Sequence, residues 1–426
     1  MKRQLSVNLN NLLLSLSEVT DLSNPLIEQH QHRTAFIALE LARNANLEPE
    51  IIENIFAAAL LHDIGAITME EKIAAHNFEE ITENIHTIRG ELLIEQIPWL
   101  RKTSKIVRNH HRNWNDWEEG IENPLVFASQ IVLLSDYVER LIDRNKYILH
   151  QSEDIIETVK KMADTTINKK IVAYFMDLSK KEEFWLDLTS PRIHSWLITN
   201  GPIKNIQIGL SDIELISNLY RDLIDFKSRY TATHTSGVSE CAVKLSELFG
   251  LSELDVKSMR IAGNFHDIGK LIIPNSILEK PGKLTVDEYA IIRCHTYHTF
   301  NTLDSIGGLQ QIAEWAAYHH EKLDGSGYPF HLTNEEISTG SRIMAVADIF
   351  TAISENRPYR MGMNKDEIYK VIRMQTDQKL LDKRVVEVLF DNYETISIQV
   401  KRKQSRALDF YEKRFTSIAD VISISK

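Results

Sequence analysis

The chain has 426 residues, 43% hydrophobic and 26% charged, with a formal charge of -11. That length exceeds one ordinary hydrophobic core and predicts two or three domains, and 16 glycines with 10 prolines leave little room for long disordered segments. The acidic balance excludes a general coat for DNA or RNA, which needs a broad basic surface, while leaving room for a small anion at a local cationic site. Only two cysteines occur, Cys241 and Cys294, so neither a disulfide framework nor a cysteine-type zinc site is available, and a cytoplasmic location fits.

In chain order, the leucines of the first fourteen residues predict an amphipathic opening helix. No cleavable leader is seen, and no later run reaches the roughly 20 apolar residues that span a bilayer, so no membrane association is expected. Stretches such as Ile51 to Leu61 and Leu254 to Phe265 carry apolar residues at helical spacing, and alternating strand patterns are scarce, which predicts an all-α fold. Turn residues gather at Asn200-Gly201-Pro202, at Lys280-Pro281-Gly282-Lys283 and at Asp324-Gly325-Ser326-Gly327. The first of these predicts a domain boundary near 200 to 212, giving domains 1–205 and 206–426, with a closing helix after about Val400.

The two halves repeat each other. At an offset of 204, His30 falls on His234, His62 on His266, Asp63 on Asp267 and Gly65 on Gly269, with Ala38, Leu41 and Leu47 on Ala242, Leu245 and Leu251. The second copy is then longer by five residues, so His86 pairs with His295, His110 with His319 and His111 with His320 at an offset of 209. A further three-residue insertion brings Asp136 onto Asp348. Seven polar positions thus recur in order on a shared apolar framework.

His266 and Asp267 follow an apolar run, so they lie on or at the end of a packing helix. A carboxylate there needs a counter-charge, and neutral imidazole with ionised carboxylate is a donor set that divalent metal accepts. A lone histidine is better read as a satisfied core residue; seven recurring ligand-type residues are not. An Asp adjacent to His suits bridging of two ions about 3.5 to 4 Å apart, an arrangement that clamps a phosphodiester and activates water. The second copy's expected metal ligands are His234, His266, Asp267, His295, His319, His320 and Asp348. Lys270, one turn beyond Asp267, would place positive charge near the phosphate, or else is a solvated helix residue. Asp267 and Lys270 are the expected catalytic pair. The donor set leaves the ion open among iron, manganese, zinc, nickel and magnesium.

These residues resemble the HD-GYP subgroup of the HD phosphohydrolase superfamily over about 212 to 395. The resemblance rests on Phe265-His266-Asp267-Ile268-Gly269-Lys270, on Ile277 to Thr285, on His319-His320-Glu321-Lys322-Leu323-Asp324-Gly325-Ser326-Gly327-Tyr328-Pro329, on Ser341 to Asp348 and on Arg357-Pro358-Tyr359-Arg360. It implies two tandem helical HD domains and hydrolysis of cyclic di-GMP, or mixed cyclic GMP-AMP, to a linear dinucleotide, with iron or manganese as the favoured ions and two per site. Arg357 and Arg360 then become candidates for holding substrate phosphate or guanine, with helix capping or ion pairing as the alternative. Tyr328 packs either on a base or on the protein.

The chain departs from the family pattern at Tyr230, where some members carry a third-metal Glu, at Thr299, usually Gly, and at Thr351, usually Asp. The first copy lacks the Gly-Tyr-Pro element, the lysine (Ala66) and the arginine pair, yet keeps His30, His62, Asp63, His86, His110, His111 and Asp136. Metal binding is expected there, with catalysis left open against a regulatory or structural role. The competing function for the whole chain is a cyclic-dinucleotide-responsive signalling protein with weak or lost catalysis, and a third is nucleotide hydrolysis of the broader superfamily. A homodimer or signalling partner proteins stay open.

Overall fold

The computed structural model describes residues 5–22, 27–76, 80–228, 233–355 and 361–412. The chain divides into two compact units, one of Asn8–Gln207 and one of Ile208–Lys426 that also takes the segment before Asn8. Both are helical, and the strands among the described residues are two three-residue segments, Ser6–Asn8 and Gln207–Gly209, which pair with each other. Among those residues no helix is long and apolar enough to cross a membrane.

In the first unit the helix His30–Asn44 packs against the helices Pro49–Leu61 and Pro124–Arg140, and Arg101–Asn109 packs against Glu80–Ile94 and Pro49–Leu61. Pro49 opens its helix at the first turn, where a missing N–H costs no hydrogen bond. From Ile55 to Leu61 that helix is buried on every side. The opening helix, Leu9–Asp21, differs from the amphipathic expectation. Leu12, Leu13, Leu14 and Leu16 are buried, but so are Asn10, Ser15 and Ser17 on its other faces, so it is a core element.

The second unit repeats the plan. The helix His234–Phe249 packs against Glu253–Phe265, Thr339–Ser354 and Tyr393–Tyr411, and Val286–Ile306 packs against Gln310–Ala317. Ser252 caps Glu253–Phe265 by accepting from the Asp255 N–H, and Met259, Ile261, Ala262 and Phe265 bury its apolar face. Phe265 is fully buried, so Phe265→Ala would cost about 3–5 kcal/mol and loosen the residue next to His266.

Both units bring the next helix against the His-Asp turn through a glycine. A Cβ on Gly269 would lie 2.0 Å from the His295 carbonyl oxygen, and one on Gly65 would lie 2.0 Å from that of His86. Only a residue without a side chain lets the third histidine's helix come this close.

Candidate metal centre

In the second unit the His-Asp pair sits just past the end of the helix Glu253–Phe265, which frees both side chains from the helix surface. His234 comes from the start of its helix, His295 from the middle of Val286–Ile306, His319 and His320 from the short turn Tyr318–His320, and Asp348 from Thr339–Ser354. Six of the seven are buried, with His320 half-buried. His234 Nε2 lies 3.2 Å from Asp348 Oδ1, His266 Nε2 lies 3.2 Å from Asp267 Oδ2, and His295 Nε2 lies 3.4 Å from Asp267 Oδ1. His319 Nε2 is 3.9 Å from Asp267 Oδ1, and His320 Nδ1 is 3.8 Å from Asp348 Oδ2.

Backbone carbonyls set the ring orientations. His266, His295 and His319 each donate Nδ1–H to the carbonyl three residues earlier, those of Gly263, Ile292 and Ala316, at 2.9, 2.6 and 2.7 Å. Each therefore presents Nε2 as a lone-pair donor to the centre. Burial, with the neighbouring Lys270 charge, pushes His295 down to about 3, and burial pushes His320 down to about 4, so both rings are neutral. Burial opposes charge on Asp267, but His266 and Lys270 outweigh it and hold the carboxyl well below its usual range. Lys270 Nζ is 2.5 Å from Asp267 Oδ2.

These residues fit a metal. His266 Nε2 and Asp267 Oδ1 are buried and make no hydrogen bond among the described residues, which is costly unless a cation meets them. His234, His266 and Asp348 form one group of convergent donor atoms, and His295, His319 and His320 form another. Asp267 reaches into both through its two oxygens.

The first unit brings its seven residues together likewise. His30 Nε2 lies 3.6 Å from Asp63 Oδ2 and 3.5 Å from Asp136 Oδ1, and His62 Nε2 lies 3.6 and 3.7 Å from the same two atoms. Asp63, His86, His110 and His111 converge as a four-donor group. His62 and His110 again donate Nδ1–H to carbonyls three residues earlier, those of Ala59 and Val107.

Sequence reasoning missed the groups that hold the first histidine of each set. Asp225 accepts the Thr235 and Ser236 N–H groups at the start of the helix bearing His234, and Asp21 accepts the Gln31 N–H at the start of the helix bearing His30. Both carboxyls are buried, and burial pushes each up to about 6. They recur at the offset of 204 already found for the histidines, so the repeat itself carried the signal. A carboxylate behind each first histidine was also missed. Glu139 meets His30 Nδ1 at 2.5 Å, and Glu355 meets His234 Nδ1 at 3.2 Å.

Two of the three departures from the family pattern have structural consequences. Thr299 accepts from the Gly269 N–H and donates to the His266 carbonyl, both at 3.1 Å, so its hydroxyl pins the His-Asp turn. Thr351 leaves its hydroxyl buried without a hydrogen bond among the described residues, and the carboxylate comes from Glu355 instead. Tyr230, Arg357 and Arg360 lie outside the described residues.

The loop after His320 closes over the site. Buried Glu321 accepts the Phe330 and Leu332 N–H groups at 2.8 and 3.1 Å. Gly325 has φ +79°, and a Cβ on Gly327 would lie 2.4 Å from the Glu321 Cα. These constraints set Tyr328, half-buried, with its ring 4.9 Å from that of His320. Arg293, which no motif marked, places its guanidinium 4.8 Å from the Tyr328 ring centroid.

Known proteins match both halves. The HD domain family matches residues 27–173 and again residues 218–385. The 3'3'-cGAMP-specific phosphodiesterase 1 of Vibrio cholerae is 29% identical over 403 residues, spanning 91% of this chain and 92% of the relative. The cyclic di-GMP phosphodiesterase response regulator RpfG of Xanthomonas campestris is 37% identical over 178 residues, 41% of this chain and 47% of the relative. A solved structure of a cyclic GMP-AMP-specific phosphodiesterase of V. cholerae, V-cGAP3, superposes with a TM-score of 0.62 at 20% identity, covering 95% of this chain and 98% of that one, which shows a shared fold.

Proposed function

This chain belongs to the HD-domain family in each of its halves, and we propose on that premise that it is a metal-dependent phosphodiesterase opening a cyclic dinucleotide to a linear one. The second domain, 206–426, is the proposed catalytic half, and the first, 1–205, is proposed to regulate it. The observation that carries this assignment is Lys270 on Asp267, with Ala66 at the matching position of the first half. Only the second half adds a lysine on the His-Asp carboxylate, the Gly-Tyr-Pro loop and Tyr328 to its donor cage.

Two divalent ions, iron or manganese by preference, held by His234, His266, Asp267, His295, His319, His320 and Asp348, would supply Lewis acidity to the phosphodiester and lower the pKa of a water. The anchored imidazoles keep their lone pairs aimed inward, and ionised Asp267 offers an oxygen to each donor group. Lys270 holds a non-bridging phosphate oxygen beside Asp267. Tyr328 offers a ring face to a base, with Arg293 backing it, and Arg357 and Arg360 are proposed as further phosphate or guanine contacts.

Cyclic GMP-AMP is the favoured substrate. The relative matched over nearly the whole chain, first HD domain included, is a 3'3'-cGAMP enzyme, whereas the cyclic di-GMP enzyme matches only 41% of this chain. A cytoplasmic setting follows from such a substrate. Manganese-loaded protein incubated separately with 3'3'-cGAMP and cyclic di-GMP, with products separated by chromatography, tests the reading. Linear dinucleotide from 3'3'-cGAMP supports it, and no product from either substrate, with manganese or with iron, overturns it.

A further inference from the structure

The first donor cage holds a buried guanidinium that the second lacks. In the first domain Arg140, one turn after Asp136, sets Nη2 2.7 Å from Asp136 Oδ2, with side-chain exposures of 1% and 3%. Its guanidinium also lies 5.0 Å from the Tyr137 ring centroid, on the same helix. The matching position in the second domain is Ala352, and there Asp348 Oδ2 instead faces His320 Nδ1 at 3.8 Å.

A guanidinium is charged at every working pH and cannot yield its place by losing a proton. It already neutralises Asp136 and engages one of its oxygens. An ion at His30, His62 and Asp136 would be set beside that fixed positive charge in a buried, weakly screened space. Lys72, which donates to the Thr20 carbonyl, adds a second positive charge interacting with Asp63.

In the other half of the cage no arginine or lysine among the described residues pairs directly with Asp63, and Lys72 acts on it only at longer range. Asp63 Oδ1 lies 3.3 Å from His86 Nε2 and 3.9 Å from His110 Nε2, and the two Nε2 atoms are 3.4 Å apart. Donors arranged tetrahedrally at about 2.0–2.1 Å from one ion stand about 3.3–3.4 Å from each other. His111, whose ring centroid is 4.0 Å from that of His110, has a buried Nε2 with no hydrogen bond among the described residues. Three imidazoles and a carboxylate make a complete set for a single divalent ion.

We propose that the first domain holds one divalent ion, ligated by Asp63, His86, His110 and His111, and that Arg140 stands in for the charge of the other. The proposal rests on the metal-site reading of the first cage and not on turnover at the second.

The metal content of full-length protein, stripped, loaded with manganese and freed of excess, tests it. His111→Ala is expected to lose about one ion per chain while His62→Ala loses none, since His62 serves the arginine-occupied half. Loss of an ion from His62→Ala, or none from His111→Ala, overturns the proposal. Arg140→Ala, checked for native circular dichroism, is expected to gain about one ion per chain; a folded variant that gains none contradicts the arginine's role. Turnover measured on the same samples separates the two readings, because an inactive chain with this pattern of ion loss refutes the phosphodiesterase assignment and leaves the single-ion site standing.

Discussion

Glu355 meets the Nδ1 of His234 at 3.2 Å from one helical turn beyond the place where the first domain puts its equivalent carboxylate. In the first domain the partner of His30 is Glu139, three residues after Asp136; the residue three after Asp348 is Thr351, and Glu355 lies four further on. A ligand imidazole needs an acceptor on its far nitrogen to fix its tautomer and aim. Both domains meet that need, the first from within the helix that carries Asp136 and the second from the residue just past the end of the helix that carries Asp348. Burial alone would lower the pKa of His234, but Glu355 and Asp348 raise it to about 10, so metal must displace a proton there.

Glu355→Gln is therefore expected to weaken metal affinity at the second site by about 10–100-fold with little change in melting temperature. Thr351→Glu combined with Glu355→Ala, which copies the first domain's arrangement, is expected to restore much of it. Competition with a chelator reads both. Unchanged affinity in Glu355→Gln would remove Glu355 from the site's support.

Lys270→Ala removes the ammonium 2.5 Å from Asp267 without replacing a metal ligand. Loss of one charge aimed at the developing phosphate charge is expected to lower kcat by about 10²–10³-fold, with metal content unchanged. A lysine that merely solvates its turn would leave kcat alone.

Much of the site was legible because donor residues recur at fixed offsets on a shared apolar frame, and this survives without knowledge of the fold. The supporting carboxylates were harder. Asp21 and Asp225 were in register but lie nine residues before the first histidines, where nothing in the chain marks a helix start. Glu139 and Glu355 are out of register by one turn, so a repeat search pairs Glu139 with Thr351. Arg293 sits in the helix Val286–Ile306 with no motif around it, and only the closed loop that carries Tyr328 brings the two together. The opening helix read as amphipathic because its serines and asparagines look solvent-facing, yet a surrounding core buries them too.

Asp225 gives a pH prediction. Burial holds its proton up to about pH 6, while the unfolded carboxyl loses it near 3.8. Its contribution to stability is full below the lower value and is lost as pH rises through the upper, by at most roughly 3 kcal/mol. Asp225→Asn does not titrate, so denaturant unfolding should show the variant gaining on wild type between about pH 4 and pH 6.5. Parallel pH curves would mean that Asp225 is ionised throughout.

Arg293→Ala is expected to raise KM for the dinucleotide about tenfold while leaving kcat within about twofold, as loss of a cation backing a base-stacking ring would do. If Arg293 only braced the Tyr328 ring within the protein, melting temperature would fall and KM would not move.

The most direct measurement compares two double variants for hydrolysis of 3'3'-cGAMP under manganese, with folding verified by circular dichroism. His266→Ala with Asp267→Ala is predicted to abolish turnover, and His62→Ala with Asp63→Ala to keep it while altering stability or regulation. Equal loss from both pairs, with both folded, would contradict the assignment of catalysis to the second domain.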